Sequence, residues 1–184
     1  MKIPQNSTSV SCNKRARPKK TMVSVVVSAF NEEAIIEANL KRLCAYMDSL
    51  SNQYKWELVI VDDGSQDLTG VIADKFAIGK KNVHVHHNFT NMQLGRSLQT
   101  AFQCCKGDYL VTMDLDLSYS PDHIEKLLNK IITSQAQIVI ASPYMRGGEV
   151  SNVPWRRRFL SKWANKFLSL SYKGNIHTIT GMVR

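Results

Sequence analysis

Apolar runs and helix-patterned stretches alternate along this chain, and that alternation limits the fold more than any other feature. Val23–Ala29 is apolar and rich in β-branched residues, as a buried strand requires. In Glu32–Leu50 the apolar residues Ile35, Ile36, Leu40, Leu43 and Met47 recur at helical spacing, with Asn31 placed to cap the helix. Trp56–Val61 is a second strand. Asp67 can cap a helix that runs through Ala77. Val83–His86 predicts a third strand, Gln93–Cys105 a helix and Asp108–Met113 a fourth strand. Pro121 suits the start of a helix that reaches Thr133, and Gln137–Ala141 predicts a fifth strand. Strands that alternate with helices, and that are apolar throughout instead of every second residue, predict an α/β fold: a mainly parallel sheet with helices on both faces. Ligands of such sheets bind beyond the carboxyl ends of the strands.

Two acidic clusters fall at those ends. The first is Val111-Thr112-Met113-Asp114-Leu115-Asp116. On an extended strand, residues i and i+2 point the same way, so Asp114 and Asp116 repel each other unless a cation lies near. Mg²⁺ or Mn²⁺ suits them, because these hard cations take oxygen ligands and leave positions for water and substrate phosphates. The second is Val61-Asp62-Asp63-Gly64-Ser65-Gln66-Asp67. One aspartate there can accept hydrogen bonds from a base or ribose, while the other ties the turn or a helix start. At the end of the first strand, Ser28-Ala29-Phe30-Asn31-Glu32-Glu33 offers an aromatic ring to pack on a base and a carboxylate for its polar edge. A capping role for Asn31, with Glu33 in the first helical turn, accounts for the same residues locally.

Charge separates the chain into three parts. Residues 1–20 carry six Lys/Arg and no acid, residues 21–142 ten bases and fourteen acids, and residues 143–184 eight bases and one acid. Basic ends around an acidic middle point to anionic partners: a phosphorylated substrate, an anionic membrane surface or nucleic acid. Residues 1–21 are polar and unpatterned and are expected to form a basic disordered arm, leaving 22–184 as the folded domain. No apolar run approaches the about 20 residues of a membrane-spanning helix. The first twenty residues contain no apolar signal segment. Cys12, Cys44, Cys104 and Cys105 show no metal-ligand or disulfide spacing, which predicts reduced thiols in a cytoplasmic protein.

Together the clusters resemble the GT-A (Rossmann-like) glycosyltransferases of family 2, in particular the dolichyl- and polyprenyl-phosphate sugar synthases. Four motifs occur in the family's order: Ser28-Ala29-Phe30-Asn31-Glu32, Val61 to Asp67, Met113 to Leu117, and Trp155 to Ser161. The resemblance implies a nucleotide pocket lined by Ser28, Phe30, Glu32, Val61, Asp63, Asp114 and Leu115. It implies a metal site at Asp114, Asp116 and Ser118, and an acceptor-phosphate site at Arg157 and Ser161. Asp116 and Arg157 carry the catalysis on this reading. Asn91 and Gly95 match a turn leading into a helix. The sequence departs from the family at Ser28, where a proline is usual, at Ser118, where a glutamine is common, and at Pro143, where the family has a phosphate-binding arginine that Arg146 could replace. His177 stands where an acid is common. Family members also usually continue beyond the last residue here, so the domain is expected to be C-terminally incomplete.

The implied partners are a GDP- or UDP-hexose donor, a polyprenyl phosphate acceptor and the cytoplasmic face of a membrane, bound peripherally; nucleic acid is not expected. From Val150 to Arg184 there is no Asp or Glu. A sugar-hydroxyl acceptor needs a general base, whereas a lipid phosphate is already anionic and needs positioning. Arg156, Arg157 and Arg158 suit phosphate, and Trp155, Trp163 and Phe167 in the expected helix 155–172 suit a membrane interface. The predicted reaction is therefore inverting hexosyl transfer. The alternatives are transfer to a saccharide hydroxyl, or a truncated module that binds nucleotide without turnover. A haloacid-dehalogenase-type phosphohydrolase, which also uses D-x-D, is disfavoured because no second acidic pair follows Asp116.

Overall fold

The structure is a computed structural model and describes residues 20–142. The basic arm up to residue 19 and everything from residue 143 onward, including Arg157, Ser161 and the expected helix 155–172, lie outside the described residues.

Eight elements alternate along the described chain: β1 (Thr21–Ala29), α1 (Ile36–Ser49), β2 (Tyr54–Asp62), α2 (Thr69–Ala77), β3 (Val83–His87), α3 (Gln93–Cys104), β4 (Tyr109–Asp114) and α4 (Asp122–Ser134). The strands form one parallel sheet in the order β3-β2-β1-β4. β1 is central, and Val23, Val25, Val26 and Val27 are completely buried, which explains why the run does not alternate with polar residues. On one face Val25, Val27, Leu58, Ile60 and Met113 pack against Ile36, Leu40 and Met47 of α1, Phe76 of α2 and Ile124 and Leu128 of α4. On the other, Val26, Val59 and Val61 pack against Ala101 and Leu98 of α3. Helices on both faces of a parallel sheet are what the alternation predicted.

Near its start β1 carries a buried polar group, and its partners are built in. Ser24 Oγ donates to Glu57 Oε1 at 2.6 Å, the amide of Lys106 donates to the same oxygen at 2.6 Å, and the amide of Gly107 donates to Ser24 Oγ at 2.8 Å. A buried carboxylate so engaged avoids the penalty of an unpaired charge.

Two expectations fail. Gln137–Ala141 is not a strand. The segment passes the edge that β4 has among the described residues without forming a strand. Ala136–Val139 instead line a groove of ≈ 780 Å³ there, with Phe102, Leu110 and Ile131. An apolar, β-branched run becomes a strand only where a neighbour satisfies its main chain. Asn31 also does not cap α1. It takes φ 54°, and the helix starts at Ile36 without a side-chain cap. Glu32 to Ile35 form a turn in which the carbonyl of Glu32 accepts from the amides of Ile35 and Ile36 at 3.1 and 3.0 Å.

Gly64 is required where β2 turns. Its φ is 73°, and a Cβ there would lie 2.4 Å from the carbonyl carbon of Thr90. Gly79 has a similar φ of 77° but open space around it. Gly64→Ala is expected to cost about 3 kcal/mol in denaturant unfolding, from left-handed strain plus backbone collision. Gly79→Ala, with strain alone, is expected to cost about 1 kcal/mol.

Candidate functional site

The chain moves from β1 outward through β2 to β3 and then returns to the other side of β1 to form β4. The direction of winding reverses between β1 and β4, and the crevice beyond their carboxyl ends is where an open parallel sheet binds ligands. The register puts Ser28 beside Asp114 on one side and beside Val61 on the other, with Ala29 opposite Asp62. Ser28, Glu32, Asp114 and Asp116 are therefore brought to one crevice, and half-exposed Phe30 stands at its rim.

The loops after β1 and β2 are sewn together by reciprocal bonds. The amide of Asn31 donates to Ser65 Oγ at 3.0 Å, and the amide of Gln66 donates back to Asn31 Oδ1 at 2.9 Å. The amide of Glu33 donates to Asp67 Oδ2 at 3.2 Å, and the amide of Leu68 donates back to Glu33 Oε2 at 2.9 Å. Between these pairs the amide of Glu32 donates to Thr69 Oγ1 at 2.7 Å. Asp67 also accepts from the amide of Thr69 at 2.9 Å, but Leu68, not Asp67 as the sequence predicted, is the N-cap of α2, which has no side-chain cap.

Asp62 and Asp63 are both buried and both structural in this arrangement. Asp62 accepts from the amide of Ser65 at 3.0 Å and pairs with His87 Nδ1 at 2.9 Å, while His87 Nε2 reaches Asp74 at 3.1 Å. The bond to Asp62 raises the pKa of His87. Asp63 Oδ1 accepts from Asn88 Nδ2 at 2.7 Å and from the amide of Met92 at 2.9 Å. Burial pushes the Asp63 carboxyl up, but bonds from Ser97, Asn88, Met92 and Gln93 outweigh it and hold the group below its ordinary value. The loop containing Asn91 is thereby fixed on β2, and Gly95 lies in the first turn of α3. Val61 and Leu115 have their side chains in the core, and the carbonyl of Leu115 accepts from Asn39 Nδ2 at 3.0 Å.

The D-x-D geometry differs from the extended-strand expectation. β4 ends at Asp114, and Leu115–Asp116 form a turn closed by the amide of Leu117 donating to the carbonyl of Asp114 at 3.1 Å. Leu117 has φ 51°, and its side chain is buried. Asp116 is exposed, and Ser118 holds both of its oxygens, through the amide at 2.8 Å and the hydroxyl at 2.6 Å. Ser118 thus orients the carboxylate it was expected to assist.

Like charge dominates the crevice. Glu32 Oε2 is buried and has no hydrogen-bond partner among the described residues. Burial, then Asp116, Asp114 and Asp67, push the Glu32 pKa up to about 7. Burial and Asp116 raise Asp114 as well. Among the described residues no three His, Cys, Asp or Glu side chains are arranged to enclose a metal ion. What the crevice offers is two carboxylates and an unpartnered buried oxygen, which fits a cation that shares its coordination with a substrate's phosphates.

Sequence reasoning did not single out Thr69, Asn88, Ser97 or His87. Thr69 follows Asp67 by two residues, the spacing of an Asx turn, which is a readable signal. The other three acquire their roles only across the sheet. No helix among the described residues is long and apolar enough to cross a membrane. Cys44, Cys104 and Cys105 are free thiols.

The family model for glycosyl transferase family 2 matches residues 24–184. Polyprenol monophosphomannose synthase of Mycolicibacterium smegmatis is 38% identical over 69% of this chain and 49% of its own length. Dolichol-phosphate mannosyltransferase of Pyrococcus furiosus is 34% identical over 77% of this chain and 39% of its own. The chain thus spans half or less of these relatives. A mannosyltransferase from Pyrobaculum calidifontis, solved with GDP-Man and Mn²⁺, superposes with a TM-score of 0.53 at 22% identity, covering 62% of this chain and 33% of that one.

The Glu32 shift fixes a sign for stability against pH. A carboxyl whose pKa is higher folded than unfolded keeps its proton longer in the folded chain, so its charging disfavours folding. Its contribution is greatest below about 4.5 and is lost as pH rises toward about 7. Glu32→Gln is expected to raise the unfolding temperature at pH 8 and to leave it nearly unchanged at pH 4, measured by calorimetry at both values.

Proposed function

Because this chain belongs to glycosyl transferase family 2 and has the GT-A form of the α/β fold, we propose that it transfers a hexose from a nucleotide-diphosphate sugar to a polyprenyl phosphate, with inversion at the sugar. The observation that carries this reading is the acidic crevice at the switch point, where Glu32 Oε2 is buried without a partner among the described residues beside Asp114 and Asp116. A site of this kind calls for a ligand that brings positive charge or hydrogen-bond donors. A diphosphate with its divalent cation, together with a base or ribose, brings both. The relatives named for mannosyl transfer to polyprenol and dolichol phosphates support the acceptor class.

Each residue has a role in this proposal. Phe30 packs on the base, and Glu32 accepts hydrogen bonds from the nucleoside. Ser28 borders the diphosphate, and Val61 and Leu115, whose side chains are buried, take part through the main chain. Asp63 holds the wall by fixing the loop before α3. Asp114 and Asp116 hold Mg²⁺ or Mn²⁺, with Ser118 orienting Asp116. A divalent cation there supplies counter-charge to the departing nucleoside diphosphate. Arg157 and Ser161 orient the acceptor phosphate for direct displacement. No base is needed for an oxygen nucleophile that is already anionic, in keeping with the absence of Asp and Glu from Val150 to Arg184. Peripheral attachment to the cytoplasmic face of a membrane, through the basic ends, completes the reading.

GDP or UDP with Mn²⁺ is expected to raise the unfolding temperature, and chelator or Asp116→Asn to remove the metal-dependent part. In transfer assays with dolichyl phosphate, Asp116→Asn is expected to lower kcat about 100-fold, whereas Arg157→Ala acts mainly on the KM for the lipid. Transfer to a free sugar but not to dolichyl phosphate would overturn the acceptor assignment.

A further inference from the structure

The connection between β3 and α3 lies at the same end of the sheet as the acidic crevice. Asn88 and the amide of Met92 anchor it inward, while Thr90, Asn91 and Gln93 are exposed. The amide of Asn88 donates to the carbonyl of Asp62 at 2.9 Å, and the Asn88 side chain donates to Asp63 at 2.7 Å and to Ser97 at 3.0 Å. The amide of Met92 donates to Asp63 at 2.9 Å and that of Gln93 to Asn91 Oδ1 at 3.0 Å. Its apolar side chains turn outward: Phe89 is fully exposed and Met92 is 44% exposed, and Leu94, in the first turn of α3 at the rim of the groove beside β4, is 41% exposed. The backbone of Thr90 and Asn91 lies directly on Gly64, which joins this loop to the turn that carries Leu68, itself 60% exposed. No charged residue occurs from Asn88 to Gly95.

We propose that Phe89, Met92, Leu94 and Leu68 form an apolar contact that enters the surface of a lipid bilayer and holds the acidic crevice at the level of a lipid-borne phosphate. The inference rests on the reading of the acceptor as a polyprenyl phosphate. Exposed apolar side chains on a stretch that carries no charge suit insertion between lipid headgroups. A protein partner would require a broader continuous apolar face. Charge favours the same occupant. Residues 21–142, with ten bases and fourteen acids, are repelled by an anionic bilayer, whereas residues 1–20 and 143–184 carry fourteen bases and one acid between them. Basic ends supply long-range attraction and the loop supplies depth. Stable peripheral binding takes two such signals, because one alone is weak.

The test is co-sedimentation of the full chain with phosphatidylcholine vesicles, with and without phosphatidylserine, at low and high salt. Phe89→Ser/Met92→Ser is expected to lower partitioning about tenfold at high salt, where the basic ends are screened and the apolar contact remains. Ile78→Ser, at an equally exposed position just after α2, on the side of the sheet where β3 begins, is expected to change nothing. Phe89→Trp is expected to be quenched by brominated lipid. Partitioning of the double variant equal to wild type at high salt, no quenching of the tryptophan, or loss of self-association in the double variant without vesicles would each overturn the proposal. Stabilisation by GDP or UDP with Mn²⁺, measured in the same preparations without lipid, separates the two readings. If it persists while partitioning is unaffected, only the membrane contact falls; if it is absent, the transferase reading falls.

Discussion

The site depends on the burial of β1 between two parallel neighbours. A strand apolar on both faces must be covered on both, and pairing with β2 and β4 at fixed register leaves little freedom in where their ends fall. Slipping either pair by one residue would turn Val25 and Val27 out of the larger core and Val26 into it. Ser28 therefore lies beside Asp114 because the core requires it, and the chemistry uses a position that packing has already set.

Holding carboxylates together opposes folding, and the structure offsets this locally. Asp62, Asp63 and Asp67 are spent on amides, side-chain donors and His87, which ties three loops into one rim. That rim then keeps Glu32 near Asp114 and Asp116 although they repel. Among the described residues, Glu32, Asp114 and Asp116 have no cationic side chain paired with them in the crevice. The acids thus divide into those that build the wall and those that face the crevice: Asp63 and Asp67 of the wall have lowered pKa values, whereas Glu32 and Asp114 of the crevice have raised ones.

Much of this was readable in the sequence. The eight alternating elements, the strand ends and the acidic clusters follow from periodicity and composition, because each depends on near neighbours in the chain. What could not be read depends on distant ones. Asn31 has the local pattern of a cap, but its partners are Ser65 and Gln66, brought near by strand pairing. Gln137–Ala141 has the composition of a strand, but a strand also needs a ladder. Asp116 was placed by strand period, yet the strand stops two residues earlier because Leu117 turns into the core at a positive φ that its residue type does not announce. The pKa of Glu32 is raised by its burial in the fold first, then by Asp116 and Asp114, more than eighty positions away in sequence, and by Asp67.

α3 is clamped to β2 at both ends by acids of that strand and its following turn. Asp63 holds the amide of Met92 before the helix, and Glu57 holds the amide of Lys106 after it. Tilting or sliding α3 would strand a buried carboxylate at one end or the other. The loop before α3 is thereby kept against Gly64, so that the wall beside β2 holds its shape whether or not the crevice is filled.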